Sequence, residues 1–130
     1  MKWILLPLVA IIAWAQPPAA VLDLFRTAVE TLADRDVDAF MTHFDSAMPG
    51  YTNLREQVAA LVATEGATST IDIVDDAGDE SKRRVRIDWL LRSGYARPKR
   101  AVVTVTVEKR GRGWKITNLE PRDFFTAPSQ

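Results

Sequence analysis

The chain has 130 residues, a length that suits one domain with its own core, and its 17 basic side chains balance 17 acidic ones. It contains no cysteine and a single histidine, which excludes disulfides, lipid attachment through a cysteine and zinc sites of the Cys/His type. Whatever stabilises the domain must therefore come from packing.

The N-terminus comes first in the chain and points outward from the cell. Met1-Lys2, the apolar run Trp3 to Trp14 and the triplet Ala13-Trp14-Ala15 have the layout of a secretory leader. The run is shorter than the roughly 20 residues a membrane-spanning helix needs, and Pro7 interrupts it. Cleavage after Ala15 is expected, against the alternative of an uncleaved anchor. It would divide the chain into a leader, residues 1–15, and one domain, residues 16–130, secreted or periplasmic and without a stable membrane anchor. Between Gln16 and Gly66 there are eight acids and three bases, and from Ala67 to Gln130 nine acids and thirteen bases. Such a split is ordinarily the decoration of solvated faces, although it can also steer a charged partner.

Pro17-Pro18 is a suitable entry to a helix, and Val21, Leu22, Leu24, Phe25, Ala28, Val29 and Leu32 gather on one helical face. Asp34-Arg35-Asp36 breaks this helix and supplies a cap for a second, with Val37, Phe40, Met41 and Phe44 as its stripe. Met48-Pro49-Gly50 forces a loop. Asn53, with Glu56 three residues on, reads as the cap of a third helix whose stripe is Leu54, Val58, Leu61 and Val62, ending near Gly66.

From Ala67 the period changes to two. Thr68 to Val74 reads as a first strand and Asp75 to Asp79 as its turn. In the second strand Val85, Ile87, Trp89 and Leu91 alternate with Arg84, Arg86, Asp88 and Leu90, giving one apolar and one mostly charged face. A third strand carries Val103, Val105 and Val107, and Arg110-Gly111-Arg112-Gly113 turns it back into a fourth with Trp114, Ile116 and Leu119. The parity change between Ile116 and Leu119 predicts a bulge. Pro121 should end the strand, and Phe124-Phe125 should fold back onto the body.

Helices followed by an antiparallel meander imply an α+β layer. The Asp-Arg-Asp break, the third helix, Gly113-Trp114-Lys115-Ile116 and the ending Glu120-Pro121-Arg122-Asp123-Phe124-Phe125 together resemble the NTF2-like (SnoaL-like) superfamily, in particular its exported bacterial-type members of unknown function. The resemblance implies a cone-shaped α+β fold, three N-terminal helices on a curved antiparallel sheet of about four strands. It says little about activity, because the superfamily spans isomerases, cyclases, dehydratases, transport factors and exported proteins. Ser46 to Thr52 also leaves little room for the strand pair many members carry between the second and third helices.

Enzymes of that superfamily project acids, histidines and tyrosines into the cone. Here His43 lies off the stripe of the second helix, as an exposed or capping residue. Asp72 and Asp88 fall on the outer sheet face, where an ion pair with Arg86 or a neighbouring strand is expected. No acid falls clearly on an inward strand position, so no catalytic residue is assigned. Tyr51, Trp89, Phe44 and Phe124 are the candidates for lining a pocket, Tyr51 and Trp89 because each joins apolar bulk to a polar tip. Asp75, Asp76, Asp79 and Glu80 lack calcium-loop spacing and read as a solvated turn, so neither metal nor cofactor is expected. The basic groups Lys82-Arg83-Arg84-Arg86 and Arg97-Pro98-Lys99-Arg100 lack an interleaved aromatic ladder, which argues against nucleic acid and for a surface role, such as meeting anionic envelope components. The functional expectation is non-enzymatic binding of a small apolar or amphipathic ligand or a protein partner. A small lyase, isomerase or cyclase is the first alternative, and a polar-faced interaction or dimerisation module the second. Arg84, Arg86, Thr104, Thr106, Lys115 and Thr117 make the outer face polar, so a monomer or weak homodimer is expected.

N-terminal analysis of exported protein should find Gln16 as the first residue. A membrane-bound form that retains Trp3 to Trp14 would show an anchor instead.

Overall fold

The computed structural model describes residues 17–94 and 97–127. The leader and its cleavage site lie outside the described residues. Helix α1 spans Ala19–Ala33 and buries Val21, Phe25, Ala28 and Leu32, the i, i+4, i+7, i+11 series expected of a one-faced helix. Arg35 then takes a positive φ of 62°, and Asp36 caps α2, Val37–Met41, by accepting a 3.0 Å hydrogen bond from the amide of Ala39. The Arg35 guanidinium reaches across the molecule and donates to the carbonyls of Val62 and Ala63, at 2.9 and 2.6 Å. Those carbonyls follow helix α3, Tyr51–Leu61, so one side chain ties the α1–α2 turn to the end of α3.

Two helix boundaries depart from the sequence expectation. Helix α2 ends at Met41, and Phe44 lies outside it in an isolated parallel bridge with Ile116. The amide of Ile116 donates to the His43 carbonyl and the amide of Asp45 to the Ile116 carbonyl, both at 2.8 Å. Two hydrogen bonds to a strand edge outweigh one more turn of a five-residue helix. Helix α3 begins at Tyr51 after Gly50, whose φ of 76° suits glycine, so Asn53 sits inside the helix and does not cap it.

The sheet is a four-stranded antiparallel meander in the order β1-β2-β3-β4, with β1 Ala67–Gly78, β2 Lys82–Ser93, β3 Lys99–Arg110 and β4 Gly113–Glu120. Its inner face carries the buried Val85, Ile87, Trp89 and Leu91 of β2, Val103, Val105 and Val107 of β3, and Trp114, Ile116 and Leu119 of β4. The bulge expected in β4 is present. Thr106 pairs with Asn118 and Val107 with Ile116, which leaves Thr117 as the extra residue and restores Leu119 to the inner face. A second bulge was not anticipated. In β1, Ile73 pairs with Ile87 and Asp75 with Arg86, so Val74 is the extra residue and parity reverses beyond it.

That reversal corrects the reading of the acidic stretch. Asp75 to Gly78 is strand and not turn, and the connection is only Asp79 to Ser81. Asp79 closes it by accepting hydrogen bonds from the amides of Ser81 and Lys82 and from the Ser81 hydroxyl, at 2.8 to 3.0 Å. Gly78 has φ 143°, and a Cβ there would stand 2.2 Å from the Lys82 carbonyl oxygen. At the other end of β1, a Cβ on Gly66 would lie 1.9 Å from the Ala33 carbonyl oxygen, so glycine permits the first helix to meet the sheet.

The helices cover the inner face, and the C-terminal Phe124 and Phe125 fold beneath them, buried as expected. Replacing Trp89 by alanine should cost roughly 3–5 kcal/mol of stability, because the side chain is 3% exposed at the centre of this core. Replacing Arg86, which is exposed on the opposite face, should cost about 0.5 kcal/mol or less. Denaturant unfolding of the two variants checks the assignment of faces.

Candidate functional site

The interior of the cone is occupied by its own aromatic rings. Trp89 stands edge-on to Phe124 and Phe125, with centroids 5.9 and 5.3 Å apart. Phe125 meets Phe40 at 5.5 Å, and Phe40 meets Phe44 at 5.1 Å. These are edge-to-face or tilted spacings of mutually packed rings. Of the four residues expected to line a pocket, Trp89, Phe44 and Phe124 are thus brought together as core, while Tyr51 is half-buried at the start of α3. None of the four lines the outer groove described below or the two smaller cavities, one beside Leu61 and Leu91 and one beside Met48 and Leu119. The indole Nε1 of Trp89 is shut off from solvent without a hydrogen-bond partner among the described residues.

His43 acts as a local cap. Its Nδ1 lies 3.0 Å from the carbonyl of Phe40, just after α2. Asp88 lies on the outer face, as its parity required, and its partner is Arg100 of β3, in a bidentate pair at 3.0 and 2.7 Å. The hydrogen bond from Arg100 holds the Asp88 carboxyl below the ordinary aspartate range. Asp72, directly opposite Asp88, would repel it, and Arg100 offsets that like-charge contact.

One acid does reach an inward position. Beyond the Val74 bulge Asp76 pairs with the buried Val85, so it shares the inner face, and its side chain is only 7% exposed. Arg83 binds it through two hydrogen bonds, Nε to Oδ1 at 3.0 Å and Nη2 to Oδ2 at 2.8 Å, and donates from Nη1 to the Asp79 carbonyl at 2.9 Å. The Asp76 carboxylate raises the pKa of Arg83 above its ordinary value. Both carboxylate oxygens of Asp76 are engaged, which suits it to hold the hairpin and not to abstract a proton. Sequence parity missed it because the bulge is invisible in the residue pattern.

An open groove of about 740 Å³ lies on the opposite side of the sheet. Ala77, Arg84, Thr106 and Asn118 form one row across all four strands and line it, and Lys82 and Glu108 are partners in the next row. Arg84, Thr106, Glu108 and Asn118 adjoin the buried Val85, Val105, Val107 and Leu119, and Ala77 and Lys82 share their rows, so the groove runs across the outer face. Pro49 and Arg122 lie at its β4 side, where residues 43–45 run along the strand edge. Its ionised side chains are Lys82, Arg83, Arg84, Arg122, Asp79 and Glu108. The acids are already engaged. The amide of Ser81 is the main cause that lowers the Asp79 pKa, and the Thr117 hydroxyl, 2.8 Å from Glu108, is the main one that lowers that of Glu108, with Arg110 adding to it. Arg83 belongs to Asp76. Among the described residues, Lys82, Arg84 and Arg122 have no ion-pair partner. The Asn118 Oδ1 is sheltered from solvent and likewise accepts no hydrogen bond among them. Among the described residues no group of three or more metal-ligating side chains occurs, and no helix is long and apolar enough to cross a membrane.

No protein-family model and no curated protein sequence matches the chain. Solved structures do. An NTF2-like protein of unknown function from Shewanella oneidensis superposes with a TM-score of 0.70 at 17% identity, over 80% of this chain and 97% of that one. Bd1075 of Bdellovibrio bacteriovorus gives 0.69 at 15% identity over 77% of this chain, which spans only 38% of that protein. A Mycobacterium tuberculosis protein of unknown function gives 0.66 at 15% identity, over 78% of this chain and 72% of that one. The chain has the NTF2-like fold, α+β with three helices on an open four-stranded antiparallel sheet.

Changing Asp76 to asparagine should lower stability by about 1–2 kcal/mol, because Arg83 would lose its anionic partner at a largely buried position. Asp75→Asn should leave stability nearly unchanged, since Asp75 is exposed and stands 4.0 Å from Arg86. Urea midpoints of the two variants at neutral pH make the comparison.

Proposed function

We propose that this NTF2-like domain is a non-enzymatic binding module, exported to the periplasm or the medium, that receives its ligand or partner on the outer face of the sheet. The observation that carries the reading is the contrast between its two faces. The inner face, where the fold usually accommodates a ligand, is filled by the mutually packed rings of Trp89, Phe124, Phe125, Phe40 and Phe44. The outer face offers a groove of about 740 Å³ in which, among the described residues, Arg84 and Arg122 have no ion-pair partner and Lys82 stands opposite Glu108. The sequence expectation of an apolar ligand inside the cone gives way in this reading to a polar one outside it. Catalysis by acid–base chemistry has little support, because Asp76 is held by Arg83 and His43 by the end of α2. Export rests on the leader pattern of residues 1–15.

Protein purified from its native compartment, denatured and extracted into organic solvent, should yield no stoichiometric apolar molecule by mass spectrometry. Recovery of one such molecule per chain would place a ligand in the cone and overturn the outer-face reading.

A further inference from the structure

Resting on the outer-face reading, the chemistry of the groove narrows the class of ligand. Its free charge is cationic and spread out. Lys82 and Arg84 stand on β2 and Arg122 beyond the end of β4, so a complementary ligand carries more than one anionic group along its length. Four strands at their usual spacing make the groove floor about 14 Å across, a span for an oligomer and not for one small ion.

The lining also argues against a peptide. Pro49 and Ala77 are the only apolar side chains in it, and no aromatic is present, so peptide side chains would find no pocket. Strands β2 and β3 are paired on both sides, β4 pairs with β3 on one side and is bridged by residues 43–45 on the other, and the one-sided edge strand β1 carries the Val74 bulge and neighbouring acids, which oppose an added strand. Their backbone groups are therefore unavailable for strand addition at this floor. What remains is side-chain chemistry: the guanidinium groups of Arg84 and Arg122, the Lys82 ammonium and the Thr106 hydroxyl. A guanidinium fits carboxylate or phosphate through paired hydrogen bonds, and a groove-lining hydroxyl can exchange hydrogen bonds with hydroxyls of a ligand. We propose that the groove binds an anionic, hydroxyl-rich oligomer, a carboxylate- or phosphate-bearing saccharide or polyol, with Arg84 as its principal anion contact and Thr106 hydrogen-bonding a ligand hydroxyl.

The test is a titration of the domain, residues 16–130, followed by amide NMR at low ionic strength. The probes are tetragalacturonate, a short poly(glycerol phosphate), neutral maltotetraose and hexaglutamate. Binding of either of the first two, with shifts centred on Arg84, Thr106 and Asn118, supports the proposal, and the tighter of them identifies whether the anion is carboxylate or phosphate. Arg84→Gln and Arg122→Gln should each weaken that binding about tenfold or more, whereas Arg26→Gln on the exposed side of α1 should change it less than about twofold. Affinity should also fall with added salt. Equal binding of maltotetraose would overturn the role of the anion, and an equal loss in Arg26→Gln would reduce the effect to diffuse charge. Equal or tighter binding of hexaglutamate at the same amides would overturn the saccharide assignment while leaving the outer face as the binding surface. Shifts confined to core residues, or none with any probe, would overturn the ligand class and the groove together.

Discussion

Everything in this fold is arranged around the packing of Trp89 against Phe124 and Phe125. The indole comes from the middle of β2, the two phenyl rings from the chain after β4, and Phe40 of α2 closes on Phe125 from the helical side. Sheet, helices and C-terminal segment thus meet in one cluster. Without a disulfide, and with no cluster of metal-ligating side chains among the described residues, the layers are joined by packing, to which this aromatic area is a large contribution. Lys99 supports it from outside, donating to the carbonyls of Phe124 and Thr126 at 2.9 and 3.2 Å and standing 5.7 Å from the centre of the Phe124 ring.

The two faces of the sheet do different work. The rings on the inner face join the layers to one another, whereas the side chains of the outer face do not support the core. Arg84 and Thr106 project away from the helices and alternate with the buried Val85, Val105 and Val107.

Two bulges shape that outer face. Thr117, extra in β4, donates a hydrogen bond to Glu108, which is also paired with Arg110. Val74, extra in β1, turns Asp76 inward to Arg83, which fixes the hairpin that forms one wall of the groove. Val74 itself is left half exposed at 51%, on the sheet edge, where a bulge and neighbouring acids discourage pairing with another strand.

The sequence by itself determined which residues face inward on β2, β3 and β4, the β4 bulge, the tight turn at Gly111, a cap supplied from within Asp34-Arg35-Asp36 and the burial of Phe124 and Phe125. Each is written in local spacing, residue type or the hydrophobic cost of exposure, and needs little knowledge of the partner. It also supplied the NTF2-like resemblance, which the solved structures support at the level of fold. Tertiary structure alone decided the rest. Asp75 to Gly78 looked like a turn because four acids within six residues repel one another in isolation, and only Arg83, seven residues beyond Asp76, makes the strand acceptable there. Phe44 left its helix because the edge of β4, more than 70 residues away, offered better hydrogen bonds. Trp89, Phe44 and Phe124 could be recognised as buried, but whether such residues surround a cavity or fill it depends on how rings from distant segments meet. The groove has the same origin, since no pattern along the chain records that Arg84, Thr106, Asn118 and Arg122 share one surface until four strands have paired.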